Sequence, residues 1–118
     1  MNATLYKVVT RSQWRVAESD GVFRGSEVDI ADGFIHLSAA DQTIETVAKH
    51  FAGQSDLMLI AVDAAALGDT VRWEPSRGGA LFPHVYGDLP LTAVRGVQPL
   101  PIGDDGRHQF PDDFAGSQ

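Results

Sequence analysis

The side chains able to do chemistry near neutral pH are dispersed along this sequence: Lys7, His36, Ser38, Arg72, Glu74, Ser76, His84 and Tyr86. Two of them stand out by their surroundings. His36 interrupts an apolar run of β-formers in Asp32-Gly33-Phe34-Ile35-His36-Leu37-Ser38, and His84 follows a proline among large apolar residues in Leu81-Phe82-Pro83-His84-Val85-Tyr86-Gly87. An imidazole in such a strand must hydrogen-bond inside the core or line a cavity. Two such imidazoles point to one pocket, expected to include Glu74 or Tyr86. Imidazole moves protons near neutral pH, Ser38 can meet a ligand at the positive N-terminus of a helix, and Tyr86 can stack on a ring.

Each of these residues also has a structural reading. His36 can donate to a backbone carbonyl in the core, Ser38 can cap a helix, Arg72 and Glu74 can be solvated strand charges, and Tyr86 can fill the core with its hydroxyl at the rim. His50 reads as a helix C-terminal cation, and His108 has no assigned role. A metal held by His36, His84 and Glu74 is a third alternative, but neither histidine has a close-spaced partner ligand, so no metal is expected. Phosphate-cradling glycine loops, H-E-x-x-H and G-x-S-x-G are absent from the sequence.

The elements that must position these residues read as α+β. Leu5–Thr10 alternates as a first strand, and Thr10 with Gln13 forms a capping box opening a helix that ends near Gly21. Residues 22–31 read as a connecting loop with one helical turn. Phe34–Leu37 is a second strand. Ser38 with Asp41 reads as a cap for a helix carrying Ile44, Val47, Ala48 and Phe51, stopped by Gly53. Leu57–Val62 is a continuous apolar run, typical of a strand buried on both faces. A helical turn at 63–68 precedes an alternating strand, Thr70–Glu74, with Val71 and Trp73 facing the core. Residues 75–80 form a flexible loop, Val85-Tyr86 a short strand, and Val94–Ile102 a last strand that Pro99 assigns to an edge. The predicted core includes Phe51, Ile44, Val47, Leu59, Ile60 and Trp73.

The chain's 118 residues suit a single domain, divided here into a folded body at 1–102 and an acidic, loosely ordered tail at 103–118. That tail has no Leu, Ile or Val. A net charge of −7 argues against a broad nucleic-acid surface. With no cysteine there is neither disulfide nor thiolate metal site, which fits a reducing cytoplasm. The N-terminus lacks the pattern of a signal peptide, and no apolar run approaches membrane-spanning length.

Four strings then carry a resemblance. Leu5-Tyr6-Lys7-Val8, Asp32-Gly33-Phe34-Ile35-His36-Leu37-Ser38, Arg72-Trp73-Glu74-x-Ser76 and Phe82-Pro83-His84-Val85-Tyr86-Gly87 occur in this order and spacing in a bacterial family catalogued as domain of unknown function 952. Over roughly residues 4 to 102 the chain resembles it, and that family looks like a compact relative of the ADP-ribosyltransferase fold. The resemblance implies a bent, split β core with helices outside and a cleft for NAD or a related nucleotide. It implies Lys7, His36, Ser38, Arg72, Ser76 and Tyr86 as binding residues, with Glu74 as catalytic carboxylate and His84 assisting proton transfer in ADP-ribose transfer. The intact R-S-E and H-Y-E patterns of those relatives are missing. The rival readings are a non-catalytic ligand-binding or protein-interaction module, and a metal-dependent small-molecule enzyme.

Overall fold

The computed structural model describes residues 4–76, 79–111 and Phe114. Its centre is an antiparallel sheet in the order β4-β1-β5-β9, built from β1 (Thr4–Thr10), β4 (Ser38–Ala39), β5 (Leu57–Asp63) and β9 (Val94–Leu100). Strands β1 and β5 pair along their whole length, from Thr4 opposite Asp63 to Thr10 opposite Leu57. Both faces of this sheet are covered, as the unbroken apolar run of β5 requires. Leu5, Val9, Met58, Ile60 and Val62 face one core with Trp14 and Phe23, whereas Val8, Leu57 and Leu59 face a second core with Val47, Leu100 and Phe114. Strand β9 is the edge expected from Pro99.

Helix α1 (Arg11–Asp20) opens with the capping box read from the sequence. The Thr10 hydroxyl accepts from the Gln13 N–H while the Gln13 side chain accepts from the Thr10 N–H, and Gly21 closes the helix. Residues 22–31 are more structured than a connecting loop. They hold β2 (Val22–Phe23), paired with β8 (Leu89–Pro90), and the start of a short helix α2 (Glu27–Asp32), whose own capping box joins Ser26 and Asp29. Gly25 makes this approach possible: its φ is +118°, and a Cβ there would come within 2.8 Å of Asp29 Cβ.

A three-stranded sheet in the order β3-β7-β6 joins β3 (Ile35–His36), β7 (Leu81–Val85) and β6 (Val71–Pro75). The expected Phe34–Leu37 strand is thus divided. The chain leaves this sheet at Leu37, whose N–H donates to Pro83 O, and enters the central sheet at Ser38. Ser38 therefore does not cap helix α3 (Ala40–His50). It is a buried strand residue opposite Tyr6, and the cap position belongs to Ala39, whose N–H the Gln42 side chain accepts. Within α3, Thr43 and Val47 are buried and Ile44 is partly so, as is Phe51 just past its C-terminus. Trp73 is not a core residue. It is 47 % exposed on β6, the outer strand of its sheet among the described residues. The helical turn α4 (Ala64–Leu67) is followed by a 3₁₀ turn, Gly68–Thr70. Among the described residues no helix is long and apolar enough to cross a membrane.

In the 103–118 segment, positions 112, 113 and 115–118 lie outside the described residues, as do 77 and 78 in the 75–80 loop. Phe110 and Phe114 are anchored to the body. Phe114 is 4 % exposed, meets Tyr6 edge-on at 4.8 Å and stacks obliquely on Phe110 at 5.1 Å. Replacing Phe114 with alanine should cost about 3 kcal/mol in urea unfolding, because it empties one end of the second core. A midpoint that does not move would show that this aromatic adds nothing.

Candidate functional site

Helix α2 places Asp29 in the interior, where an acidic side chain survives only with partners. The carboxylate is 2 % exposed and its two oxygens are heavily used. Lys7 Nζ from β1 lies 2.8 Å from Oδ2 and 3.0 Å from Oδ1. Oδ1 also accepts from the His36 backbone N–H at 3.1 Å and meets the His36 ring Nδ1 at 2.7 Å, while Oδ2 accepts the Ser26 N–H at 2.8 Å. Burial by itself raises the pKa of Asp29. The Lys7 charge and the hydrogen bonds from Lys7, His36 and Ser26 outweigh it and hold the carboxyl below its ordinary value. Burial pushes Lys7 down from its ordinary value, against the pull of Asp29. The far nitrogen of His36, Nε2, lies 2.9 Å from the more exposed Asp32 Oδ2. Asp32 is the last residue of α2, and Gly33, at φ +87°, turns the chain from there into β3.

His36 and His84 are direct cross-strand partners on β3 and β7, and Arg72 on β6 continues the row. Their rings sit 5.3 Å apart, edge to face. Phe34 packs on both, at 4.2 Å from His84 and 4.7 Å from His36, and on Tyr86 at 5.2 Å. On the other flank, Glu74 Oε1 meets His84 Nδ1 at 2.8 Å and accepts from the Tyr86 hydroxyl at 2.8 Å. These bonds, from His84 first and Tyr86 second, hold the Glu74 carboxyl below its ordinary value, and the same bond to Glu74 raises Tyr86. The Arg72 guanidinium lies over the Tyr86 ring at 5.2 Å.

A cavity of about 700 Å³ is bordered by β1 and β4 of the central sheet, by α2 and α3, and by β3 and β7 of the smaller sheet. Lys7, His36, Ser38, Ser76 and His84 all line it. Glu74, Arg72 and Tyr86 do not; they form a second group joined to the first through His84. Among the described residues no cluster of His, Asp or Glu is arranged to hold a metal ion. Sequence reasoning missed Asp29, Asp32 and Phe34. The spacing Ser26-x-x-Asp29 is itself a capping-box signal and marks a helix start in the segment read as a loop.

The family described as "Protein of unknown function (DUF952)" matches residues 8–97. The chain belongs to this family. The crystal structure of protein CC0527 from Caulobacter crescentus is similar to this DUF952 chain at 48 % identity and a TM-score of 0.89, over 95 % of this chain and 98 % of that one. The solution NMR structure of CC0527 is similar at 48 % identity and a TM-score of 0.84, over 95 % and 97 % of the two chains. Among curated proteins, none matches the DUF952 chain.

Asp29→Asn should destabilise this DUF952 protein by about 3 kcal/mol at neutral pH, since it strands a buried Lys7. Asp29 has a folded pKa below its unfolded one, so its contribution is present above the unfolded pKa and is lost as pH falls through the folded value. Denaturant melts of the two proteins should therefore converge in acid. A gap that persists or widens there would contradict this role of the carboxylate.

Proposed function

We propose that this protein binds a nucleotide of the NAD or ADP-ribose class in the cavity between its two larger sheets and transfers ADP-ribose from it. The observation that carries this reading is the registered pair His36 and His84. Each presents Nδ1 to a carboxylate, and both stand in the wall of a cavity whose volume lies in the range of small-molecule sites. Two antiparallel sheets linked at Leu37, with the cavity bordered by both, accord with the split β core that the resemblance implies. A chain without cysteine accords with a cytoplasmic setting.

The residues suit such a ligand by their chemistry. Lys7, His36, Ser38 and His84 offer hydrogen-bonding groups on a partly apolar lining. NAD supplies nicotinamide as the leaving group, its bond to the ribose carbon being replaced by a bond to a nucleophile on an acceptor, whereas ADP-ribose, which has no nicotinamide, only occupies the site. Within the protein, Glu74 and Asp29 fix the two imidazoles, and Phe34 holds their rings apart from solvent on one side. Glu74 acts through His84 in this reading, because it contacts that ring and stands outside the cavity lining.

Titration of the protein with ADP-ribose and with NAD, followed by amide resonances, tests the proposal. Shifts are expected at His36, Ser38, Ser76 and Gly79, and His36→Ala should remove them while the fold is retained. The absence of site-specific shifts at millimolar ligand, where about −4 kcal/mol of binding registers, would overturn it. The non-catalytic alternative is favoured by the double use of Glu74 Oε1, which already serves His84 and Tyr86. Binding without nicotinamide release would assign the protein to that class.

A further inference from the structure

Strand β6 is the outer strand of the smaller sheet among the described residues, and its backbone pattern fixes what that edge offers. The Tyr86 N–H donates to Thr70 O and the Ser76 N–H to Ala80 O, so the even-numbered residues of β6 turn their backbone groups toward β7. Val71, Trp73 and Pro75 therefore turn theirs outward. The Val71 N–H is taken by Gly68 O, and a proline has none. Of these three residues, Trp73 alone offers the edge both a donor and an acceptor. The Trp73 side chain is exposed on one face of the strand, and Leu81, the cross-strand partner of Pro75, is exposed on the same face. An outer strand with an exposed apolar face is a template for a further strand.

The opposite face supplies the charges, because Arg72 and Glu74 flank Trp73 and alternate with it. When two copies of β6 pair antiparallel across a two-fold axis at Trp73, each Trp73 N–H donates to the other Trp73 O. Arg72 of each copy then lies directly opposite Glu74 of the other. Moving the axis by one residue keeps two backbone bonds but sets Arg72 against Arg72 or Glu74 against Glu74, and like charges so placed repel. Arg72-Trp73-Glu74 is thus self-complementary in one register. Glu74 bonds His84 and Tyr86 through Oε1, which leaves Oε2 for the Arg72 of a second copy. Strand β9, the outer strand of the central sheet, is different: its single charge, Arg95, is bound to Asp63 on the adjoining strand, and Pro99 interrupts it.

We infer that the outer edge of β6 is a self-association surface, on which a second copy of this chain seats its own β6 antiparallel and centred on Trp73. The two smaller sheets then join edge to edge. This inference does not depend on the ligand of the cavity. Each copy brings its Arg72 to the carboxylate that orients His84 in the other. With five residues a side in the joined strands, the contact is small and the dimer is concentration-dependent.

Sedimentation equilibrium of the full chain, from about 10 µM to about 1 mM, should show the average mass rising from one chain toward two. Over the same range the Trp73 amide resonance should shift and its hydrogen exchange should slow, while the β9 amides stay unmoved. Arg72→Glu sets glutamates against Glu74 and should weaken association about tenfold. Trp73→Lys places a charge on the edge and should abolish it. Both side chains are exposed, so an unchanged circular dichroism spectrum and melting temperature should accompany each variant. A chain that stays monomeric at about 1 mM overturns the inference, as does association that either variant retains undiminished or that leaves the Trp73 amide unmoved.

Discussion

The buried carboxylate of Asp29 is the constraint on which the rest of the structure depends. It binds the side chain of β1 through Lys7, the start of its own helix through Ser26, and both the backbone and ring of His36 on β3. A charge at 2 % exposure is costly unless every lone pair is used, and here the partners come from separate parts of the chain. Losing any one partner leaves another buried polar group unsatisfied. The central sheet, helix α2 and the smaller sheet are thereby held in one relative arrangement, and the imidazole of His36 is aimed by the same contacts.

His84 is held by a different logic on the neighbouring strand. Its carboxylate partner, Glu74, sits on β6 and is shared with Tyr86, so the edge strand of the smaller sheet sets the ring's orientation. Phe34, which follows the turn at Gly33, fills the space between the two histidines and Tyr86. The two rings are thus fixed from opposite flanks, by Asp29 on one side and Glu74 on the other, while the cavity opens along the row they share. The switch of the chain between sheets at Leu37 places Ser38 on the wall of that cavity as a strand residue. Its neighbour Gln42 closes the N-terminus of α3 and reaches Leu81 O on the smaller sheet as well, which adds a further tie across the gap.

Where local signals and tertiary packing agreed, the reading from sequence was sound. The Thr10–Gln13 box, the apolar run of β5 and Pro99 on an outer strand each depend on interactions within a few residues or on a simple rule of backbone hydrogen bonding. Ser26-x-x-Asp29 was an equally local signal, hidden because the short helix it opens has almost no apolar period: Val28 and Ile30 are exposed. Trp73 failed differently. Alternation assigns it to the face of Val71, but a face is buried only where something covers it, and Trp73 is left largely exposed.

What the sequence by itself determined was the strands β1, β5, β6 and β9, the capped first helix and the fact that two imidazoles lie in apolar strands, because periodicity and capping are short-range. Tertiary structure alone decided that His36 and His84 are cross-strand neighbours, that Asp29 is the buried anchor of His36, that Glu74 stands behind His84 outside the cavity wall, and that Phe114 returns to the second core. The physical reason is that strand register, and the pairing of buried charges, are set by contacts between residues far apart in the chain. Lys7 and Asp29, 22 positions apart, carry no local mark that they must meet.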